Sequence, residues 1–239
     1  MRRFALVAAT ATAALAFVPA AAQAWCWGGT HGDGNKVTEA RQVAAFTAVR
    51  VEGSIDAAVK VGGAQAVAVT IDQNLQPLVT TEVSGTTLVI KAKDASWQGK
   101  ALVEITVPAL RALSIQGSSD VTIDGGQGDV SLAIHGSGDL RWNGEAAMLE
   151  ASVSGSGDMK LSGTAEQAKI SVAGSGDVKA GDLTSKAAEV SVAGSGDVEL
   201  TLDGGTFKAR VAGSGDVVWH GRAQVELDSV SGSGEIVRR

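Results

Sequence analysis

A tetrapeptide of the form Gly-Ser-Gly-Asp returns at nearly constant spacing through the second half of the chain, and no other feature limits the fold so tightly. Copies or close variants begin at Gly117, Gly136, Gly155, Gly174, Gly194, Gly213 and Gly232, in steps of 19, 19, 19, 20, 19 and 19 residues. The first reads Gly117-Ser118-Ser119-Asp120, and the last ends in Glu235. Two residues before each first Gly stand Ile115, Ile134, Val153, Val172, Val192, Val211 and Val230. Directly after each acid stand Val121, Leu140, Met159, Val178, Val198, Val217 and Ile236, and Trp142 and Trp219 share their parity two residues on. Apolar residues at alternate positions on both sides of a Gly-rich corner read as strand, turn, strand. A helical repeat would need a spacing near 3.6.

A unit of about 19 residues cannot bury its apolar face alone, whereas stacked units form a continuous core. The expected fold is therefore all-β, a parallel β-helix (β-solenoid) with one coil per repeat and coils ~4.8 Å apart. Composition agrees with this reading. Gly supplies 31 of 239 residues, and aromatic residues only 4%. Corners that recur every coil consume Gly, and a thin core favours Val, Ala, Ile and Leu over rings. Outward positions suit parallel stacking too. Glu150, Lys169, Glu189 and Lys208 occupy one equivalent place in four successive repeats, so stacking makes opposite charges direct neighbours. Ser114, Ser152, Ser171, Ser191 and Ser229 form a second column, interrupted by Ala133 and Arg210. In the last repeat Val225 and Leu227 lie on the opposite parity from Val230. A bulge or shifted strand is expected there, with a terminal cap over the open edge as its purpose.

The chain before the repeats divides into three parts. Residues 1–24 read as a secretory signal peptide: Arg2 and Arg3, an uncharged run from Phe4 to Val18, and the small-residue site Ala22-Gln23-Ala24. Residues 25–42, rich in Gly and polar groups, read as a flexible lead. Residues 43–110 read as an irregular β-rich part with strands at Phe46–Val51, Asp56–Val61, Ala66–Ile71, Thr80–Val83, Thr87–Lys93 and Leu102–Val107. Asn74–Leu78 reads as a turn or helical wrap, since Pro77 excludes a strand interior. Trp97 is expected in a loop. No Pro/Ser linker separates this part from the coils of 111–239, so 43–239 is read as one domain.

Phe46-Thr47-Ala48-Val49-Arg50-Val51, then Thr87-Leu88-Val89-Ile90-Lys91, then Val107-Pro108-Ala109-Leu110, followed by the Gly-Ser-Gly-Asp copies, resemble the head GIN domain family. That family is described as heads of autotransporter adhesins, found in secreted or envelope proteins of bacteria. The resemblance covers about residues 43–222. It implies a right-handed parallel β-helix and brings neither an established biochemical activity nor catalytic residues.

Charge and targeting narrow the functional classes. The net charge is -6, which argues against a nucleic-acid partner. Signal cleavage would remove two Arg and leave 18 basic against 26 acidic side chains. No later apolar run is long enough to span a bilayer as a helix, so the product is expected in the periplasm, on the cell surface or outside the cell. Cys26 is the only cysteine, which excludes an internal disulfide.

The corner acids Asp120, Asp139, Asp158, Asp177, Asp197, Asp216 and Glu235 are the one repeated set of titratable groups. Stacked carboxylates repel by about 1 kcal/mol per neighbour in bulk water. Hydrogen bonds from turn N–H groups and the adjacent Ser hydroxyl are expected to offset this, with Arg141, Lys160 and Lys179 adding positive charge nearby. The alternative is a calcium ladder bridging successive coils. The calcium-binding nonapeptide motif is absent, so no cofactor is expected and the acids are read as a structural turn ladder.

Catalysis has little support. His135 and His220 lie four coils apart, about 19 Å along the stack, and His31 sits in the lead. No Ser has a His and Asp partner by position. The expected function is an exported, non-catalytic module with an envelope or adhesin-like binding or structural role. Its partners would be an envelope polysaccharide, a protein or another copy of itself. The rival reading is a polysaccharide-acting β-helix enzyme, whose acids would line a groove.

Overall fold

In the computed structural model, which describes residues 30–92 and 101–239, the chain is a stack of β coils. Residues 1–24, read above as a signal peptide, lie outside the described residues, as do Cys26, Trp25, Trp27 and Trp97. The strands in chain order are β1 (Lys36–Ala40), β2 (Ala48–Gly53), β3 (Asp56–Val61), β4 (Ala66–Asp72), β5 (Val79–Ser84), β6 (Thr87–Ala92), β7 (Leu102–Val107), β8 (Ala112–Gly117) and β9 (Val121–Asp124). They continue with β10 (Asp129–Gly136), β11 (Leu140–Gly155), β12 (Met159–Gly174), β13 (Val178–Gly194), β14 (Val198–Gly213), β15 (Val217–Gly232) and β16 (Ile236–Arg238). A 3-10 helix, Gln73–Leu78, carries Pro77.

The repeats pair in parallel and nearly in register. Gly155 faces Gly174, Gly174 faces Gly194, and Gly194 faces Gly213. The alternating apolar positions form one core: Leu140, Met159, Val178, Val198 and Val217 are fully buried, as are Ile134 and Leu161. Trp142 is 1% exposed, with Ile123 and Leu161 as its neighbours in the stack. Its indole N–H donates to the Gly125 carbonyl at 3.2 Å. Corners close because Gly occupies them. The first Gly of the third corner, Gly155, has φ +133°, and a Cβ there would overlap the carbonyl oxygen of Gly136.

The N-terminal part is more regular than its sequence suggests. β2, the Gly53–Asp56 corner and β3 form a coil that lies directly under the first repeat. β2 pairs in parallel with β8, and β3 with β9. Beneath it lie β6, parallel to β2, and β7, parallel to β3. Stacking order therefore departs from chain order, because the coil of β2 and β3 sits between β6–β7 and β8–β9. Ser119 shows why the first copy has Ser at its third position. Its hydroxyl accepts the Ile55 N–H at 3.0 Å and donates to the Gly53 carbonyl at 3.2 Å.

The two ends of the stack differ. At the first end the strands turn antiparallel: β5 pairs with β6, β4 with β7, and β1 with β4. The expectation of a flexible lead is corrected for Lys36–Ala40, which is the strand β1. Polar residues join it to β4 through backbone pairing and through Gln76, whose amide donates to the Val37 and Val69 carbonyls at 2.9 Å each. At the other end the predicted irregularity is a bulge. Phe207 faces Val225 and Lys208 faces Leu227, so Glu226 is extra. A full cap does not follow from it. Val225 and Val230 are exposed, and only three residues of β16 pair with β15. Arg238 covers part of the edge, donating to the Gly221 carbonyl and lying 5.2 Å over the Trp219 ring. Charge and a bulge, rather than a covering element, blunt this edge.

Candidate functional site

The corner acids stand in one column, and a single hydrogen-bond pattern joins them. The backbone N–H of each acid donates to a carboxylate oxygen of the acid one coil below. Asp158 donates to Asp139 at 3.1 Å, Asp177 to Asp158 at 3.0 Å and Asp197 to Asp177 at 2.9 Å. Asp216 donates to Asp197 at 2.8 Å and Glu235 to Asp216 at 2.9 Å. Asp139 reaches Asp120 at 3.4 Å. The partner of each carboxylate is thus the next coil, and the adjacent Ser hydroxyl takes no part among the described residues.

One rung escaped the sequence reading. Asp120 donates its N–H to Asp56 Oδ1 at 3.1 Å, so Asp56 starts the column. The signal was present as Gly53-Ser54-Ile55-Asp56, but Ile at the third place and a gap of 64 residues hide it.

Basic groups meet the column at two points. Arg141 lies 3.9 Å from Asp139, and Lys179 lies 3.8 Å from Asp158, the acid one coil below its own. Lys160 departs from expectation and pairs with Asp182 at 3.3 Å. All these side chains are solvent-facing, so each pair contributes at most ~1 kcal/mol.

The hydrogen bond and the charge of each rung are separable by substitution. Asp177→Ala leaves the Asp197 N–H without its acceptor and is expected to cost about 1 kcal/mol. Asp177→Asn keeps the acceptor and removes a like charge from the column, so its stability is expected within about 0.5 kcal/mol of the parent. Denaturant unfolding of the two variants measures the difference.

A second cluster, which sequence reasoning missed, lies where the 20-residue coil breaks the register. Lys160 faces Lys179 and Ser162 faces Asp182, so β13 carries one extra residue beside Gly181. The resulting open cleft gathers Lys160, Lys179, Asp182, Glu199, Thr201 and His220. The step of 20 in the repeat was its only signal. His220 Nε2 lies 2.9 Å from Glu199 Oε1. The Thr201 hydroxyl donates to the Gly181 carbonyl at 2.8 Å, so it is turned away from a role as a nucleophile activated by His220. Lys160 is matched to Asp182, His220 to Glu199 and Thr201 to the Gly181 carbonyl, while Lys179 turns to Asp158 of the corner column.

The histidines stay apart. His135 faces Gln116 and Ser154, far from the His220 cleft. The His31 carbonyl accepts a hydrogen bond from the Asn74 side chain at 2.8 Å. Among the described residues no group of three or more His, Cys, Asp or Glu is arranged to hold a metal ion, and no helix is long and apolar enough to cross a membrane.

Residues 45–223 match the family model described as putative auto-transporter adhesin, head GIN domain. No curated protein matches the chain. Among solved structures, a putative adhesin from Bacteroides fragilis is 25% identical with a TM-score of 0.77, covering 88% of this chain and 100% of that one. A putative adhesin from Parabacteroides distasonis is 26% identical with a TM-score of 0.65, covering 87% of this chain and 99% of that one. A protein from the same organism described as a putative lipid binding protein is 24% identical, with a TM-score of 0.70 and coverage of 88% and 99%. That last likeness concerns the fold alone.

Proposed function

The chain belongs to the head GIN domain family, and from that premise we propose that it is an exported, non-catalytic module with an adhesin-like binding or structural role at the bacterial envelope. The observation that carries this reading is the use made of the corner acids. Each from Asp56 to Asp216 accepts a backbone N–H from the next coil. The largest repeated set of titratable groups is therefore spent on holding the stack. The adhesin descriptions of the family and of its structural relatives support the same class. An export signal at residues 1–24 places the module outside the cytoplasm in this reading, and the ladder needs no resident cation. Long, flat, polar faces built from repeated coils suit a repetitive partner, such as an envelope polysaccharide.

The test is a screen of the purified protein against envelope glycans, read both for binding and for turnover. Saturable binding with no product is the expected result. Product formation that disappears with Glu199→Gln or with replacement of one corner acid would overturn the reading in favour of a polysaccharide-acting enzyme.

A further inference from the structure

We infer that one face of the solenoid is a dimer interface, occupied by a second copy of this chain lying alongside with its stacking direction reversed. The face is formed by the strand stretches that run into Gly155, Gly174, Gly194 and Gly213. The inference stands apart from the binding role proposed above and rests on three rows of side chains.

The first row is charged. Glu150 faces Lys169, Lys169 faces Glu189, and Glu189 faces Lys208. A two-fold axis parallel to the strands, passing between the Lys169 and Glu189 coils, reverses the order of the row. Glu150 of one copy then meets Lys208 of the other, and Lys169 meets Glu189. Every charge of this row faces its opposite, in addition to the in-chain pairs of Glu150 with Lys169, Glu189 with Arg210 and Lys208 with Glu226. A two-fold axis running along the row would instead set each charge against its own copy, so the row selects the reversed arrangement.

The second row follows the same symmetry. Glu166 and Lys186 stand on the two coils that flank the axis and pair within one chain at 2.7 Å. They lie at the corner just before the eight-residue stretches, so the two-fold brings the Glu166–Lys186 pairs of the two copies to the same rim of the interface.

The third row is a matter of size. Met148 faces Gln167, and Gln167 faces Ala187. With Thr206 they line a shallow groove of about 300 Å³. Two larger side chains lie on one side of the axis and two smaller ones on the other. The reversed copy therefore sets Met148 over Thr206, and Gln167 over Ala187. Met148 is 47% exposed, the highest value among the large apolar side chains described, and this packing covers it.

The floor of the face permits close approach at the two central coils, where Ser171, Ser191, Ala173 and Ala193 project little, while Arg210 in the same column folds down onto Glu189 at 3.6 Å. Strands of eight residues over the four coils offer about 500 Å² of flat sheet per partner, the size of a small, reversible interface. Closed two-fold symmetry ends the assembly at two copies.

Sedimentation equilibrium on the purified protein tests this, with circular dichroism to confirm folding. The parent is expected to be a dimer. Lys169→Glu and Glu189→Lys each create two like-charge contacts across the axis and are expected to weaken it at least tenfold. The double variant restores opposite charges across the axis, although it places like charges side by side within each chain. Its dissociation constant is expected to return to within about threefold of the parent. Met148→Glu is also expected to weaken the dimer. A parent that is monomeric at about 100 µM would overturn the inference. So would single variants without effect, or a double variant no tighter than either single.

Discussion

Replacing Gly174 with Ala is expected to destabilise the protein by about 4 kcal/mol or more, lowering the melting temperature by roughly 10 °C. Two effects combine. Gly174 has φ +136°, a conformation that L side chains rarely adopt, and a Cβ would overlap the carbonyl oxygen of Gly155. That oxygen is also the acceptor for Ser175 N at 2.9 Å and Gly176 N at 3.2 Å. The backbone must shift, and the shift opens the hydrogen bonds that close the corner. Gly204→Ala separates the two effects. Gly204 has φ +92°, but nothing lies within 4 Å of a Cβ there, so only the conformational cost of about 1 kcal/mol applies. Thermal unfolding of both variants makes the comparison. Equal losses would show that close stacking of corners is not what the repeated Gly serves.

Trp142→Ala is expected to cost about 4–5 kcal/mol, at the upper end for a buried aromatic residue. Cavities are costly where neighbours cannot collapse into them. Here Ile123 below and Leu161 above are held by continuous parallel ladders that set the spacing of the coils. The ring also lies against the backbone of Gly126 and Gly144, positions where a Cβ would meet it at 3.3 and 3.0 Å. Trp142→Phe fills more of the space and is expected to recover at least half of the loss. Guanidinium unfolding gives both values, and a Trp142→Ala loss below about 1 kcal/mol would contradict a tightly packed core.

The coils were legible because two signals coincide in them. Period-two alternation gave the strands, and Gly at fixed spacing gave the corners. The bulge of the last coil was legible in the same way, since Val225 and Leu227 change parity. What escaped did so for physical reasons. β1 carries Lys36, Thr38 and Glu39 and buries little, so its pairing rests on backbone groups that leave no apolar pattern. The Gly53–Asp56 corner was obscured by Ile55, which stands where the later repeats carry Gly. The stacking of β2–β3 between β6–β7 and β8–β9 is a crossover, and alternation within strands carries no information on which strand lies next.

The regular spacing of the corner acids predicts a ladder but does not name their partners. Turn chemistry suggested the neighbouring Ser, because Ser and Asp commonly bond their own local backbone. Parallel stacking instead offers an N–H from the coil above at every rung. The His220 cleft had only a one-residue change of spacing to announce it, and a spacing cannot name the side chains that an extra residue brings together. On the outer surface, Lys208 is tied to Glu226. Its hydrogen bond to Glu226 and that carboxylate's charge hold its pKa above the usual lysine value. The associated stabilisation is present below that usual value and is lost as the pH rises through the raised one.

The most direct measurement is the melting temperature of a variant with Asp139, Asp158, Asp177, Asp197 and Asp216 all replaced by Asn, recorded with and without calcium. If the column works by accepting backbone N–H groups, five Asn keep every acceptor and leave Asp56 and Asp120 as the one directly stacked carboxylate pair of the column. The variant should fold, melt at or above the parent temperature, and resemble the parent in showing no response to calcium. A variant that melts far lower, or a parent whose melting temperature rises with calcium while the variant's does not, would contradict a ladder held by hydrogen bonds alone.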